Sequence, residues 1–243
     1  MRAMILAAGL GTRLGPLTHD RPKALVQVGG RTMLEITLER LRTVKINEVI
    51  INTHHFADQV QAYLETNNNF GMTIEISREE TLLDTGGGLK NAAHFFLAAK
   101  SQEPFLLHNV DVISTIDLPR MVRFHTEHDA LATLAVQARS TSRPLLFDQD
   151  RQFRGRAHPQ GSMEEPGMQA LAFSGIHVLS PRIFEKITEQ GAFSIIDSYV
   201  RLANEGEKIL AFRADEYYWR DLGRPENIAQ ATCDLDGGSF SFD

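Results

Sequence analysis

Short apolar runs alternating with helically spaced ones fill the first half of the chain, and that alternation restricts it to few architectures. Residues 4–8 (MILAA) form an unbroken apolar run of strand length, as expected for a strand buried on both faces, before the chain breaks onto Gly9 and Gly11. Leu34, Leu38 and Leu41 recur at helical spacing, with Glu35, Glu39, Arg40 and Arg42 on other faces. Runs at 49–51, 73–76 and 105–107 read as further strands, and 57–64 and 89–97 as helices, the first with Phe56, Val60 and Leu64 on one stripe. Strand–helix–strand order implies right-handed crossovers and a largely parallel sheet.

Beyond that the pattern becomes mixed. Strand-like runs fall at 131–136, 145–147, 174–179, 209–212 and 217–219, with a hairpin turn at 148–151 and a Pro/Gly-containing loop at 158–167. Helices are predicted at 181–187, opened by Pro181, at 195–203 and at 225–234. With 243 residues and no repeat, low-complexity stretch or linker, residues 1–243 read as one α/β domain with a mixed, mostly parallel central sheet flanked by helices.

Composition narrows the function classes. The net charge is −6 and no Lys/Arg run occurs, which argues against a nucleic-acid surface. Cys233 is the single cysteine, so there is no internal disulfide and no cysteine metal cluster, as in a reducing compartment. The apolar N-terminus is too short for a span and is interrupted at once by Gly9, Gly11 and Arg13. The expectation is a cytoplasmic protein with no membrane or nucleic-acid partner, monomeric or homodimeric.

The loop after the first strand reads LAAGLGTRL at 6–14. Its glycines let backbone N–H groups approach an anion, and Thr12 adds a hydroxyl. A dinucleotide fingerprint would need a third glycine one position before Gly15, and an acidic residue closing a second strand; neither is present. The Walker A pattern is also absent. What remains is a phosphate cradle with Arg13 inside it and Lys23 ten residues on, a fork and a point charge for a polyphosphate. Asp111 follows the apolar run 105–107, where open α/β sheets bind ligands, and Asp221 follows the run 217–219. Two aspartates from distant strand ends beside a phosphate loop suit Mg²⁺, which takes few protein carboxylates plus phosphate and water oxygens.

LAAGLGTRL, PLT at 16–18 and PKALVQVGGR at 22–31 together resemble the signature of the sugar-1-phosphate nucleotidylyltransferases, the NDP-sugar pyrophosphorylases. The resemblance runs from Met4 to about Ile228 and implies a Rossmann-like, GT-A-like fold with no appended β-helix domain. It implies that Arg13 binds the leaving pyrophosphate, that Lys23 binds at the α-phosphate and supports attack, and that Asp111 and Asp221 bind magnesium. Asn109 and Asp111 match the family's strand-end NGD motif, with Val110 in place of its glycine. Ala7, Ala8 and Gly9, with Gly11 and Thr12, fall on the nucleotide-binding loop; Gly86, Gly87 and Gly88, read as preceding a helix, fall beside the base; Ser174 and Gly175 fall on the sugar-pocket strand. The implied reaction joins a nucleoside monophosphate from an NTP, UTP or GTP, to a sugar 1-phosphate.

Many relatives carry a Glu-Lys-Pro segment whose lysine binds the sugar phosphate. Here Glu164-Glu165-Pro166 lacks it, leaving Arg143, Arg154 and Arg156 as substitutes. That absence, the LDTGGG segment and the short chain are most similar to the N-acetylmuramate 1-phosphate uridylyltransferase subgroup, with short guanylyltransferases beside it. The rival readings are a cytidylyltransferase acting on an alcohol phosphate such as phosphocholine, and a non-catalytic nucleotide-sugar sensor. A glycosyltransferase would want a D-x-D metal motif; Asp148-Gln149-Asp150 has the spacing but falls in the predicted turn. His54-His55 and His125-x-x-His128 read as hydrogen-bonding histidines, and Trp219, Phe95 and Phe96 as core.

Overall fold

A computed structural model of the chain describes residues 1–98, 102–157 and 167–241. In chain order the first half carries β1 (Arg2–Leu6), β2 (Gln27–Val28), β3 (Arg31–Thr32), α1 (Met33–Thr43), β4 (Glu48–Thr53), α2 (Ala57–Thr66), β5 (Thr73–Arg78), α3 (Asp84–Asn91), α4 (Ala93–Leu97), β6 (Phe105–Asn109), β7 (Val112–Ser114) and α5 (Leu118–Glu127). The second half adds β8 (Ala132–Gln137), β9 (Leu145–Phe147), β10 (Phe153–Arg156), β11 (Gln169–Leu179), α6 (Ile183–Lys186), α7 (Ile195–Asn204), β12 (Ile209–Arg213), β13 (Trp219–Asp221) and α8 (Pro225–Asp236).

The main sheet runs β10-β9-β11-β6-β1-β4-β5, with β8 between β11 and β12. β1 is parallel to both β4 and β6, and β4 to β5, as the alternation predicts. β11 runs antiparallel to β6, β8 and β9, which makes the sheet mixed. The pleat divides β1 between two cores. Ala3 and Ile5 join the cluster that takes Leu34, Leu38 and Leu41 of α1, Val60 of α2, Met121 of α5 and Ile228 of α8. Met4 and Leu6 join the opposite cluster, with Leu89 of α3, Phe96 of α4 and Tyr199 of α7. Helices therefore cover both faces of the sheet. Side-chain caps mark helix starts: Thr32 accepts from the Glu35 amide (3.1 Å) and Asp117 from the Arg120 amide (2.8 Å).

Several expectations need correction. The predicted helix 89–97 begins earlier, at Asp84, and breaks at Ala92 into α3 and α4, so the three glycines lie inside a helix and not before it. The run 217–219 does not close the main sheet; β13 instead forms a separate two-stranded ribbon with β7. The helix 181–187 contracts to Ile183–Lys186, and α5 was not anticipated. Apart from Gly167, the predicted loop 158–167 lies outside the described residues. No helix among them is long and apolar enough to cross a membrane.

Candidate active site

β1 sits where the strand order reverses, with β4 on one side and β6 on the other, the crevice in which open α/β sheets bind ligands. Parallel pairing sets Leu6, Asn52 and Asn109 abreast at the carboxyl ends of these strands. Above them opens a cleft of about 520 Å³, bordered by Ala7, Ala8, Gly9, Lys23, Asn52, Leu82, Asp84, Thr85, Asn109, Val110 and Asp111. Gly11, at φ 67°, turns the chain out of the loop; a Cβ there would stand 2.9 Å from Thr18 Cγ2 and 3.1 Å from Lys23 Cβ. Thr12 and Arg13 follow in a 3₁₀ turn, both exposed. A larger hollow of about 740 Å³ lies behind that turn, but its charged residues Asp20 and Arg21 pair with each other.

The carboxylates converge through the ribbon. β13 pairs Asp221 with Val112 of β7, and the Leu222 amide donates to the Asp111 carbonyl (2.8 Å), so the two aspartates stand on neighbouring backbone although 110 positions separate them in sequence. Lys23 is 9% exposed and its ammonium makes an ion pair with Asp111 Oδ2. Arg13 and Asp221 meet over Gly223: a Cβ there would stand 2.6 Å from Arg13 Nη2 and 2.8 Å from Asp221 Oδ1. The Gly223 amide also donates to Asp221 Oδ1 (2.9 Å). Lys23 and Asp111 thus border the cleft, and Arg13 and Asp221 meet at Gly223, next to the backbone bonded to Asp111. Among the described residues no group of three or more His, Cys, Asp or Glu could hold a metal ion alone. The donor set here, two carboxylates in reach of a phosphate site, fits Mg²⁺ completed by phosphate oxygens and water.

The base side differs from expectation. Gly86, Gly87 and Gly88 are buried inside α3 and do not border the cleft; Asp84 and Thr85, ahead of them, do. A Cβ on Gly86 would overlap the Phe193 ring, and one on Gly87 would stand 2.5 Å from the Gly191 carbonyl. Beside Gly88 lies a buried chain of hydrogen bonds that sequence reasoning missed. The Ala7 amide donates to Asn52 Oδ1 (2.8 Å), Asn52 Nδ2 donates to Glu79 Oε1 (2.7 Å), and the Leu83 amide donates to Glu79 Oε2 (3.0 Å). This chain ties the glycine loop to the start of α3.

A Cβ on Gly88 would stand 2.7 Å from both Asn52 Nδ2 and Glu79 Oε1. Gly88→Ala gains up to about 1 kcal/mol of helix propensity. Overpacking costs roughly 1–3 kcal/mol and the displaced buried hydrogen bond about 1–3 more, so the clash wins. The expected result is a thermal midpoint lower by several degrees, about 2–4 °C per kcal/mol for a chain of this size. An unchanged midpoint in calorimetry would show that the pair moves aside freely.

On the sugar side, β11 bulges between Phe173 and His177, and Gly175 takes φ 76° there. A Cβ on Gly175 would stand 3.0 Å from Asn109 Nδ2, so the bulge reaches the cleft floor. Ser174 is wholly buried and its carbonyl accepts from Trp219 Nε1 (2.7 Å). Val110, 3% exposed, buries its side chain in the first core, and its amide donates to the Leu6 carbonyl (3.1 Å). Arg154 and Arg156 lie on β10, the outermost strand, paired with Asp148 (2.6 Å) and Asp197 (2.6 Å). Asp148 accepts from the Asp150 and Gln152 amides, which makes it a turn-forming carboxylate and removes the D-x-D reading. His125 is buried against Thr133 Oγ1 (2.9 Å), and burial lowers its pKa to about 4.

A sequence profile of the family described as nucleotidyl transferase matches residues 2–237. The chain is 34% identical over 234 residues to an N-acetylmuramate alpha-1-phosphate uridylyltransferase of Caulobacter vibrioides, covering 92% of each. It is 26% identical to a UTP–glucose-1-phosphate uridylyltransferase of Synechocystis, covering 95% of this chain and 62% of that one. Among solved structures, apo UDP-glucose pyrophosphorylase superposes with a TM-score of 0.80 at 16% identity over 98% of this chain and 99% of that one, a likeness of fold.

Proposed function

The chain belongs to the nucleotidyl transferase family, and from that premise we propose that it transfers UMP from UTP to N-acetylmuramate α-1-phosphate, releasing pyrophosphate. The single observation that carries the reading is that Lys23 pairs with Asp111 at the cleft while Arg13 stands beside Asp221 on the strand whose end is bonded to the Asp111 backbone. The choice of base and sugar follows the relative matched over 92% of both chains. UTP, the nucleotide it would consume, is a cytoplasmic metabolite, and the reading places the protein there.

In this mechanism the amides of the loop and Arg13 bind the β- and γ-phosphates, and the buried Asn52–Glu79 chain keeps the loop in place. Lys23 sets its charge against the α-phosphate. An oxygen of the sugar phosphate attacks the α-phosphorus in line; that P–O bond forms as the bond to pyrophosphate breaks. Arg13 stabilises the charge that accumulates on the departing pyrophosphate. Asp111 and Asp221 would hold Mg²⁺, which when bound supplies positive charge to the phosphate oxygens. Proton abstraction is not required, because the acceptor oxygen is already ionised.

The test is pyrophosphate release by purified protein with Mg²⁺, UTP and N-acetylmuramate α-1-phosphate, beside GTP with mannose 1-phosphate and CTP with phosphocholine. The expected result is that the first pair exceeds the others by at least roughly 10²-fold in kcat/KM, since a site built to pair a base or sugar polar group rejects mismatched partners by factors of that order or more. Preference for either other pair would reassign the substrates, and nucleotide binding without turnover on any pair would make the protein a sensor.

A further inference from the structure

Arg139 follows the end of β8 by two residues. Its guanidinium carbon lies 3.6 Å from the centre of the Trp219 ring, and Nη2 donates to the Phe173 carbonyl (2.7 Å). Trp219 is itself fixed by its bond to Ser174, next to the bulge that touches Asn109. Trp219 is therefore the platform for an arginine and not simply core. Alternation along β13 places Trp219 and Asp221 on one side, while Arg220 points to the other and pairs with Asp234 (2.6 Å). Arg139 thus lies on the same side of the ribbon as Asp221. The charge of that carboxylate acts on it, although burial dominates and lowers its pKa.

Two observations distinguish Arg139 from an ordinary packing arginine. Its Nε is buried and, among the described residues, donates to nothing; the neighbouring Ser174 Oγ is likewise buried and unpartnered. A guanidinium with five donors, held among the described residues by one carbonyl bond and one ring face, keeps donors for an anion. Arg13 and Lys23 approach the two aspartates from the N-terminal loop, whereas Arg139 approaches from the β11 and β13 side. With the nucleotide phosphates assigned to the former in the mechanism above, Arg139 is left to an anion of the other substrate.

We propose that Arg139 binds an oxyanion of the sugar-phosphate acceptor, held in place by Trp219 and the Phe173 carbonyl. This rests on the transferase reading above. N-acetylmuramate 1-phosphate offers two such groups, the phosphate and the lactyl carboxylate, and both match an arginine fork.

The experiment is steady-state kinetics of Arg139→Gln and Arg139→Lys, varying UTP and N-acetylmuramate α-1-phosphate separately, with thermal midpoints recorded. N-acetylglucosamine α-1-phosphate, which lacks the carboxylate, serves as a competing ligand. Expected is a rise of roughly ten- to a hundredfold in the acceptor KM for Arg139→Gln, with the UTP KM within about twofold. Arg139→Lys, which keeps the charge but loses the fork, should fall between. If the phosphate is the partner, the inhibition constant of N-acetylglucosamine α-1-phosphate rises in parallel; if the carboxylate is, that constant stays put; either supports the assignment. A folded Arg139→Gln with an unmoved acceptor KM, or with both KM values raised equally, overturns it. Should Arg139→Gln not fold, Arg139→Lys is judged by the same split. Wild-type protein inactive with the acceptor would instead overturn the transferase reading on which the assignment stands.

Discussion

Replacing Asp111 by asparagine is expected to lower kcat on the order of 10³-fold while leaving the fold intact. The carboxylate stands at the cleft edge beside Lys23, and its backbone, not its side chain, ties the ribbon through the Leu222 amide. Asparagine keeps the size and that backbone bond but removes the charge. A metal ion on the reacting phosphate is worth several kcal/mol of transition-state stabilisation, and about 4 kcal/mol corresponds to the factor stated. Lys23 and Asp111 are both largely buried, so leaving the ammonium without its carboxylate costs up to about 3 kcal/mol, with the asparagine oxygen still able to accept, and the thermal midpoint should fall by roughly 5–10 °C without loss of the fold. The decisive measurement is kcat across a Mg²⁺ titration. Turnover within tenfold of wild type at saturating Mg²⁺ would remove Asp111 from the metal site. Asp221→Asn should behave alike, since its backbone lies alongside.

Lys23→Ala should lose roughly 10²–10³-fold in kcat/KM, the cost of removing one preorganised charge from a developing anion. It should also move in a direction that Asp111→Asn cannot. With no substrate bound, the Lys23 ammonium neutralises Asp111, so an arriving divalent ion competes with it. Removing the lysine lifts that competition, and the Mg²⁺ concentration for half-maximal rate should fall even as the rate drops. Lys23→Arg should recover little, because a broad fork cannot occupy a place shaped for a compact ammonium 9% exposed. A Lys23→Ala variant with wild-type kcat/KM would show that the ion pair is structural only.

How far the sequence could be read depended on whether the deciding contact was local. The run at 4–8 and its partners announced β1, β4, β5 and β6, because a strand buried on both faces must be apolar throughout. Arg13, Lys23, Asp111 and Asp221 stand out by motif, and the fold pairs Lys23 with Asp111 and sets Arg13 beside Asp221. Their approach depends on the pairing of β7 with β13, two three-residue strands of which only the second overlaps a strand-like run in the sequence and whose pairing no local pattern announces. The triple glycine was misplaced because glycine serves both a backbone cradle and a tight packing contact; only Phe193, Gly191 and Glu79, distant in sequence, decide between them. Asn52 and Glu79 carried no local pattern at all. No sequence pattern separates Arg139 from Arg143, Arg154 and Arg156; only the fold shows that Arg154 and Arg156 already have carboxylate partners.

The ribbon of β7 and β13 also sets the order in which the protein becomes competent during synthesis. The glycine loop, Lys23 and Asp111 emerge early and can pack with β1, β4 and β6, but Asp221 arrives only with the last strand, ahead of the terminal helix. On the proposed mechanism, a nascent chain therefore acquires most of its cleft long before it can perform chemistry. Two separately produced fragments divided after β12 would each be inert, and regain of turnover on mixing them would report directly on the closing of that ribbon.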